Sequence, residues 1–142
     1  MDYLKVFETK LTKLNPEEDE FVLQVDDLIE SIHQEHHEEL IPTIFCFFEK
    51  FPLNDCGAPG TLVHFIEDYY PKYKQLLLDS LKREPAYNTI LMVNRISNSN
   101  LSKEERQEYE SVLFNVIEDG NISEELRNEA KHFIEYQSKR SR

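Results

Sequence analysis

The chain has 142 residues, 28 acidic and 16 basic, for a formal net charge of −12. Its 39% apolar and 11% aromatic content excludes a disordered acidic chain, and the charge argues against direct docking on nucleic acid or an anionic membrane. Three Gly and six Pro suit long helices with short connections better than a many-turned β fold.

At this length one domain, residues 1–142, can enclose a continuous core. The charge within it is lopsided. Residues 1–60 carry 14 acids against four lysines, which is −10 of the total. Solubility alone needs no such asymmetry, whereas a face that recognises a basic partner would produce it. Cys46 and Cys56 form no disulfide framework, and the N-terminus has no signal-peptide pattern. A reduced, cytoplasmic protein is expected, with Cys46 acting as a small core hydrophobe.

Helical spacing dominates. Leu4, Phe7, Leu11 and Leu14 form one apolar stripe. Asn15-Pro16-Glu17-Glu18 reads as a capped helix start. The helix it opens turns Phe21, Val25, Leu28, Ile29 and Ile32 inward, with Asp19, Asp26, Asp27 and Glu30 mostly outward. A third helix over 36–51 ends in Ile44-Phe45-Cys46-Phe47-Phe48, expected to be the most buried run. Pro42 either starts that helix or kinks it.

Residues 51–60 are a loop of turn formers. Leu62, Val63, Phe65, Ile66 and Tyr69 then predict a short helix, stopped or bent at Pro71. Tyr73, Leu76, Leu77 and Leu81 predict another, ended by Pro85. Tyr87, Ile90, Leu91, Val93, Asn94 and Ile96 mark the next. Ser102-Lys103-Glu104-Glu105 is a capping box that opens a helix ended at Asp119-Gly120-Asn121, with Gly120 suited to a left-handed cap. Ser123 caps the last helix, which uses Leu126, Ala130, Phe133 and Ile134, and residues 137–142 read as a frayed basic tail. The fold expected is all-α: about eight helices in a small HEAT-like solenoid or an irregular bundle.

Four constellations carry possible chemistry. His33 and His37 would lie one turn apart on a continuous helix, a metal-ligand spacing. Position 34 is Gln rather than the Glu of a metalloprotease helix, and a polar junction between helices is the preferred reading. Cys56 and His64 resemble a thiol pair, yet no orienting Asn or Asp is identifiable and acidic surroundings raise a thiol pKa. Gly57-Ala58-Pro59-Gly60 opens a helix without the lysine of a phosphate loop. A geometric role is therefore assigned to Gly57, Pro59 and Gly60.

Finally, His64 and Glu67 share a helix face, and Asn94 and Arg95 lie on an otherwise apolar helix. Buried polar groups need partners. A pairing of Glu67 or His64 with Arg95, or with backbone of the 57–60 loop, is expected to be structural. No catalytic residue, metal or cofactor is assigned.

Gly57 to Glu67, followed by Leu77-Leu78-Asp79-Ser80-Leu81-Lys82-Arg83-Glu84-Pro85 and by Thr89-Ile90-Leu91-Met92-Val93-Asn94-Arg95-Ile96, resembles the core of a family of small helical bacterial immunity proteins. These are encoded beside polymorphic toxins of the Rhs/YD-repeat and contact-dependent type. The resemblance covers residues 50–100. It implies tight binding and inhibition of a cognate toxin domain, here a tRNA-cleaving nuclease. It also implies that the glycine-loop region is shared fold and that toxin specificity lies elsewhere on the surface.

The residues meet this from their own side. A nuclease carries a basic substrate surface, which an acidic protein can cover. Glu17, Glu18, Asp19, Asp26, Asp27, Glu30, Glu35, Glu38 and Glu39 are therefore the expected partner-binding residues, on an acidic helix spanning 16–39. Two other readings stand beside this one: a HEAT-like scaffold for endogenous proteins, and a hydrolase or thiol enzyme using Cys56, His64 and Glu67.

Overall fold

A computed structural model of the protein describes residues 2–56 and 60–140. They form eight α-helices and one 3-10 segment, with no strand among the described residues. The helices are α1 (Tyr3–Thr12), α2 (Phe21–Glu30), α3 (Ile41–Lys50), α4 (Thr61–Glu67), α5 (Lys74–Arg83), α6 (Tyr87–Ser97), α7 (Lys103–Glu118) and α8 (Glu124–Arg140). The 3-10 segment, Gln34–Leu40, joins α2 to α3.

The helices stack in two rows. α1, α3, α5 and α7 touch in succession along one row, and α2 touches α4 and α6 touches α8 along the other. Rungs such as α1 on α2, α5 on α6 and α7 on α8 hold the rows together. One connected cluster of buried side chains runs between them from Phe7 to Phe133, with Ile44, Phe48, Leu77, Ile90 and Tyr109 fully enclosed. This is an all-α helical bundle.

Local signals place most helix ends. The Asp2 side chain accepts hydrogen bonds from the Leu4 and Lys5 amides at the start of α1. Ser102 Oγ accepts from the Glu105 amide at 3.1 Å, and Ser123 Oγ from the Leu126 amide at 3.3 Å. Each satisfies an amide that the first helical turn leaves without a partner. Pro42 sits in the first turn of α3 and so starts that helix. Glu84 is extended ahead of Pro85, which ends α5. The Tyr70–Pro71 peptide, between α4 and α5, is cis.

Five expectations are corrected. Asn15 does not cap α2: its Oδ1 accepts from the Glu17 amide at 3.0 Å, and residues 15–20 form consecutive turns before the helix opens at Phe21. The side chain satisfies the backbone locally and thereby competes with helix formation. Nor is there one acidic helix over 16–39, since turns, α2 and the 3-10 segment divide it. Cys46 is exposed, on a narrow outer stripe of α3 with Pro42 and Lys50, while Ile44, Phe45, Phe47 and Phe48 are buried. Gly120 is not left-handed; Asp119 leaves the helix in an extended conformation and its Oδ1 accepts from the Asn121 amide at 2.9 Å. The expected frayed tail is helical through Arg140, because Gln137 Nε2 donates to Asn94 Oδ1 at 2.7 Å and to Asn98 Oδ1 at 2.8 Å on α6.

Candidate functional site: an acidic face and groove

On α2 the acids and the core residues divide the helix between them. α2 buries Phe21, Val25, Leu28 and Ile29. Helical periodicity then puts Asp27 and Glu30 in solvent and leaves Asp26 half-buried at the edge. Glu17, Glu18 and Asp19 are exposed in the preceding turns, and Glu35, Glu38 and Glu39 on the 3-10 segment that follows.

The histidines between these acids are structural. His37 Nε2 lies 3.1 Å from the Ile29 carbonyl oxygen and 2.8 Å from that of Ile32. As a donor there it satisfies carbonyls freed at the end of α2. His33 Nδ1 accepts from the Glu35 amide at 3.2 Å and so opens the 3-10 segment. His36 stacks on Tyr3 with ring centroids 4.1 Å apart. His33 and His37 therefore do not share a continuous helix, and the metal spacing considered for them does not form. Among the described residues no group of three His, Cys, Asp or Glu side chains is placed to hold a metal ion.

Where α2 packs against α4, a groove of about 450 Å³ opens to solvent. Asp26, Ile29 and Glu30 form one wall, and Thr61, His64, Phe65, Glu67 and Asp68 the other. Residues assigned to structure and residues assigned to partner binding thus meet at one place. The sequence carried no local signal for this, because α2 and α4 are brought together only by tertiary packing.

Glu67 is held by Arg95 through two parallel hydrogen bonds, and His64 Nδ1 lies 3.4 Å from Glu67 Oε1. The same pair keeps the Arg95 guanidinium pKa above its ordinary value, chiefly through the hydrogen bond that Arg95 donates to Glu67. This ion pair joins α4 to α6. Asn94, beside Arg95, is buried and bonds to Gln137.

Gly60 precedes α4 with φ −89° and ψ −170°, an ordinary extended conformation, and its carbonyl accepts from the His64 amide at 3.1 Å. Gly57 and Pro59 lie outside the described residues. Among the described residues of this loop, Cys56 has a left-handed backbone, at φ 52°. The Cys56 amide donates to Asn54 Oδ1 at 2.8 Å. Cys56 itself is buried, which pushes its thiol pKa up to about 12, with the Asp55 charge adding to the shift. Such a thiol holds little thiolate at neutral pH and is a poor nucleophile.

Ion pairs thin the charge at the edges of the face. Glu38 lies 3.7 Å from Lys72 Nζ, and Glu35 lies 3.4 Å from His36 Nε2. Asp26, Asp27, Glu30 and Asp68 take part in none of the ion pairs found among the described residues. Hydrated carboxylates of this kind accept hydrogen bonds and attract cations.

The described residues form an all-α protein in which Asp26, Asp27 and Glu30 of α2 carry charge that no ion pair offsets. No family model, curated protein or solved structure matches the chain. No helix among the described residues is long and apolar enough to cross a membrane.

Proposed function

We propose that this chain is a non-catalytic cytoplasmic immunity protein that binds and neutralises a cognate toxin domain. The toxin in view is a basic nuclease, a tRNA-cleaving enzyme of the wall-associated WapA type. The observation that carries the reading is the set of unpaired carboxylates Asp26, Asp27 and Glu30 on the outer side of α2. Glu17, Glu18, Asp19, Glu35, Glu38 and Glu39 extend that face. A nuclease presents cationic side chains to its substrate backbone. An acidic face that covers them excludes the substrate, and complementary charge lifts association toward about 10⁸ M⁻¹ s⁻¹ at low salt. Neither cofactor, nucleic acid nor membrane enters this mechanism.

The test is protection of cells that express the toxin. Replacing Asp26, Asp27 and Glu30 together by Lys is expected to abolish protection while circular dichroism shows an unchanged helical fold. Full protection by the folded triple variant would sink the assignment.

The two-row stacking of helices favours one further reading, a HEAT-like scaffold for endogenous proteins. A toxin gene beside this one, together with rescue of toxin-expressing cells, separates the two. A scaffold would give no rescue.

A further inference from the structure

We infer that Leu23 is the apolar anchor of the acidic face, and that the toxin offers it an apolar socket ringed by Lys or Arg. The inference rests on the reading of this face as the toxin-docking surface. α2 already has a complete core side in Phe21, Val25, Leu28 and Ile29. Leu23 points the opposite way and is 67% exposed, more than any other large apolar side chain among the described residues. At 3.6 residues per turn, Asp27 and Glu30 lie on the same side of the helix as Leu23, one and two turns further on, with Asp26 flanking them. The groove against α4 begins at Asp26 and Glu30, so the face and the groove are continuous.

Protein interfaces place a few desolvated apolar residues at the middle and charges at the rim, and Leu23 stands in the chain between exposed acids at 17–20 and at 27 and 30. Charge decides the occupant. Asp26, Asp27 and Glu30 have no cation of their own within ion-pair distance among the described residues. A neutral or acidic partner closing over Leu23 would strip water from these carboxylates without replacing it. A second copy of this chain would bring the same charges face to face. A basic rim around an apolar socket satisfies both the leucine and its ring. The two parts divide the kinetics: the charges set how fast the partners meet, and the anchor sets how long they stay.

The experiment measures binding kinetics of the full chain with a catalytically inactivated tRNA-cleaving toxin domain of the proposed type, at two ionic strengths. Leu23→Ala is expected to speed dissociation by about tenfold or more with an unchanged salt dependence and an unchanged unfolding midpoint. The double variant Asp27→Lys, Glu30→Lys is expected to slow association and flatten its salt dependence. Binding of Leu23→Ala within about twofold of wild type, with the charge variant weakened, overturns the anchor and leaves the docking reading standing. Wild-type binding by both variants overturns both. A wild-type dimer in sedimentation that Leu23→Ala dissolves overturns the anchor role and assigns the face to self-association.

Discussion

Arg95 grips Glu67 at both carboxylate oxygens, with Nε to Oε2 at 2.7 Å and Nη2 to Oε1 at 2.9 Å, and so ties α6 to α4. Both side chains are about three-quarters to two-thirds covered. Their geometry is the bidentate form in which an Arg–carboxylate pair is strongest. Removing Arg95 leaves Glu67 beside Asp26, Glu30 and Asp68 with no guanidinium to offset it. Arg95→Ala is therefore expected to lower stability by about 1–3 kcal/mol, read from urea unfolding at pH 7. A double-mutant cycle with Glu67→Ala isolates the pairwise part. A coupling energy near zero would show that the two side chains merely sit together.

A second Arg–carboxylate pair gives a pH signature. Glu49 on α3 receives Arg83 Nε at 2.7 Å, Arg83 Nη2 at 2.6 Å and Ser80 Oγ at 2.9 Å. The hydrogen bond from Arg83 is the main cause that holds the Glu49 pKa below its ordinary value, against the opposing effect of burial. A carboxylate whose pKa is depressed on folding stabilises the folded state above its unfolded pKa. That stability is lost as pH falls from the ordinary range, about 4.3, through the lower folded value. Glu49→Gln should thus cost about 1–2 kcal/mol at pH 7 and progressively less below pH 4. Stability curves of the two proteins that stay parallel through the acid range would refute this.

How far these features could be read in advance follows from how local their causes are. The apolar stripe of α1 and the Ser102 and Ser123 caps depend on residues within one or two helical turns, and each is present. The pairing of Glu67 with Arg95 was legible because a charge at core-like spacing demands a partner. Asn15 misled because the same side chain that caps a helix also closes a turn. In α3 the apolar run hid which side faced out, although Pro42, Cys46 and Lys50, spaced by four, trace the exposed stripe. The groove between α2 and α4 had no local signature at all. It exists because two helices far apart in sequence share a row, and that was beyond any window of residues.

The two cysteines should separate cleanly in reactivity. Cys46 is exposed, whereas Cys56 is buried with its thiol pKa pushed up to about 12. Alkylation of the native protein at pH 8 is expected to modify Cys46 alone, with Cys56 reacting only after denaturation. Mass spectrometry of the peptides reads both. Cys56→Ala is expected to keep full protection against the toxin, since no bond-making step is assigned to that thiol. Loss of protection in a stably folded Cys56→Ala protein would instead favour a thiol enzyme.

The C-terminal residues supply a sharp contrast between sequence composition and structure. A run of Gln, Ser, Lys and Arg looks dispensable, yet Gln137 bonds the buried Asn94 and Arg140 bonds Asn98. Arg106 completes this end of α6 by donating to the Ser97 carbonyl oxygen at 3.1 Å. Cutting the chain after Tyr136 removes the donor that satisfies Asn94 Oδ1 and exposes the last turn of α6. An enclosed acceptor without a partner costs about 1–3 kcal/mol, so the truncated protein is expected to unfold at roughly 2–10 °C lower temperature. Gln137→Ala in the full chain should reproduce most of that loss, because the hydrogen bonds to α6 rather than the length of α8 account for it. Amide exchange should localise the effect to α6 and α8. Wild-type melting by the truncated protein would mean that the last turn of α8 contributes nothing to the fold.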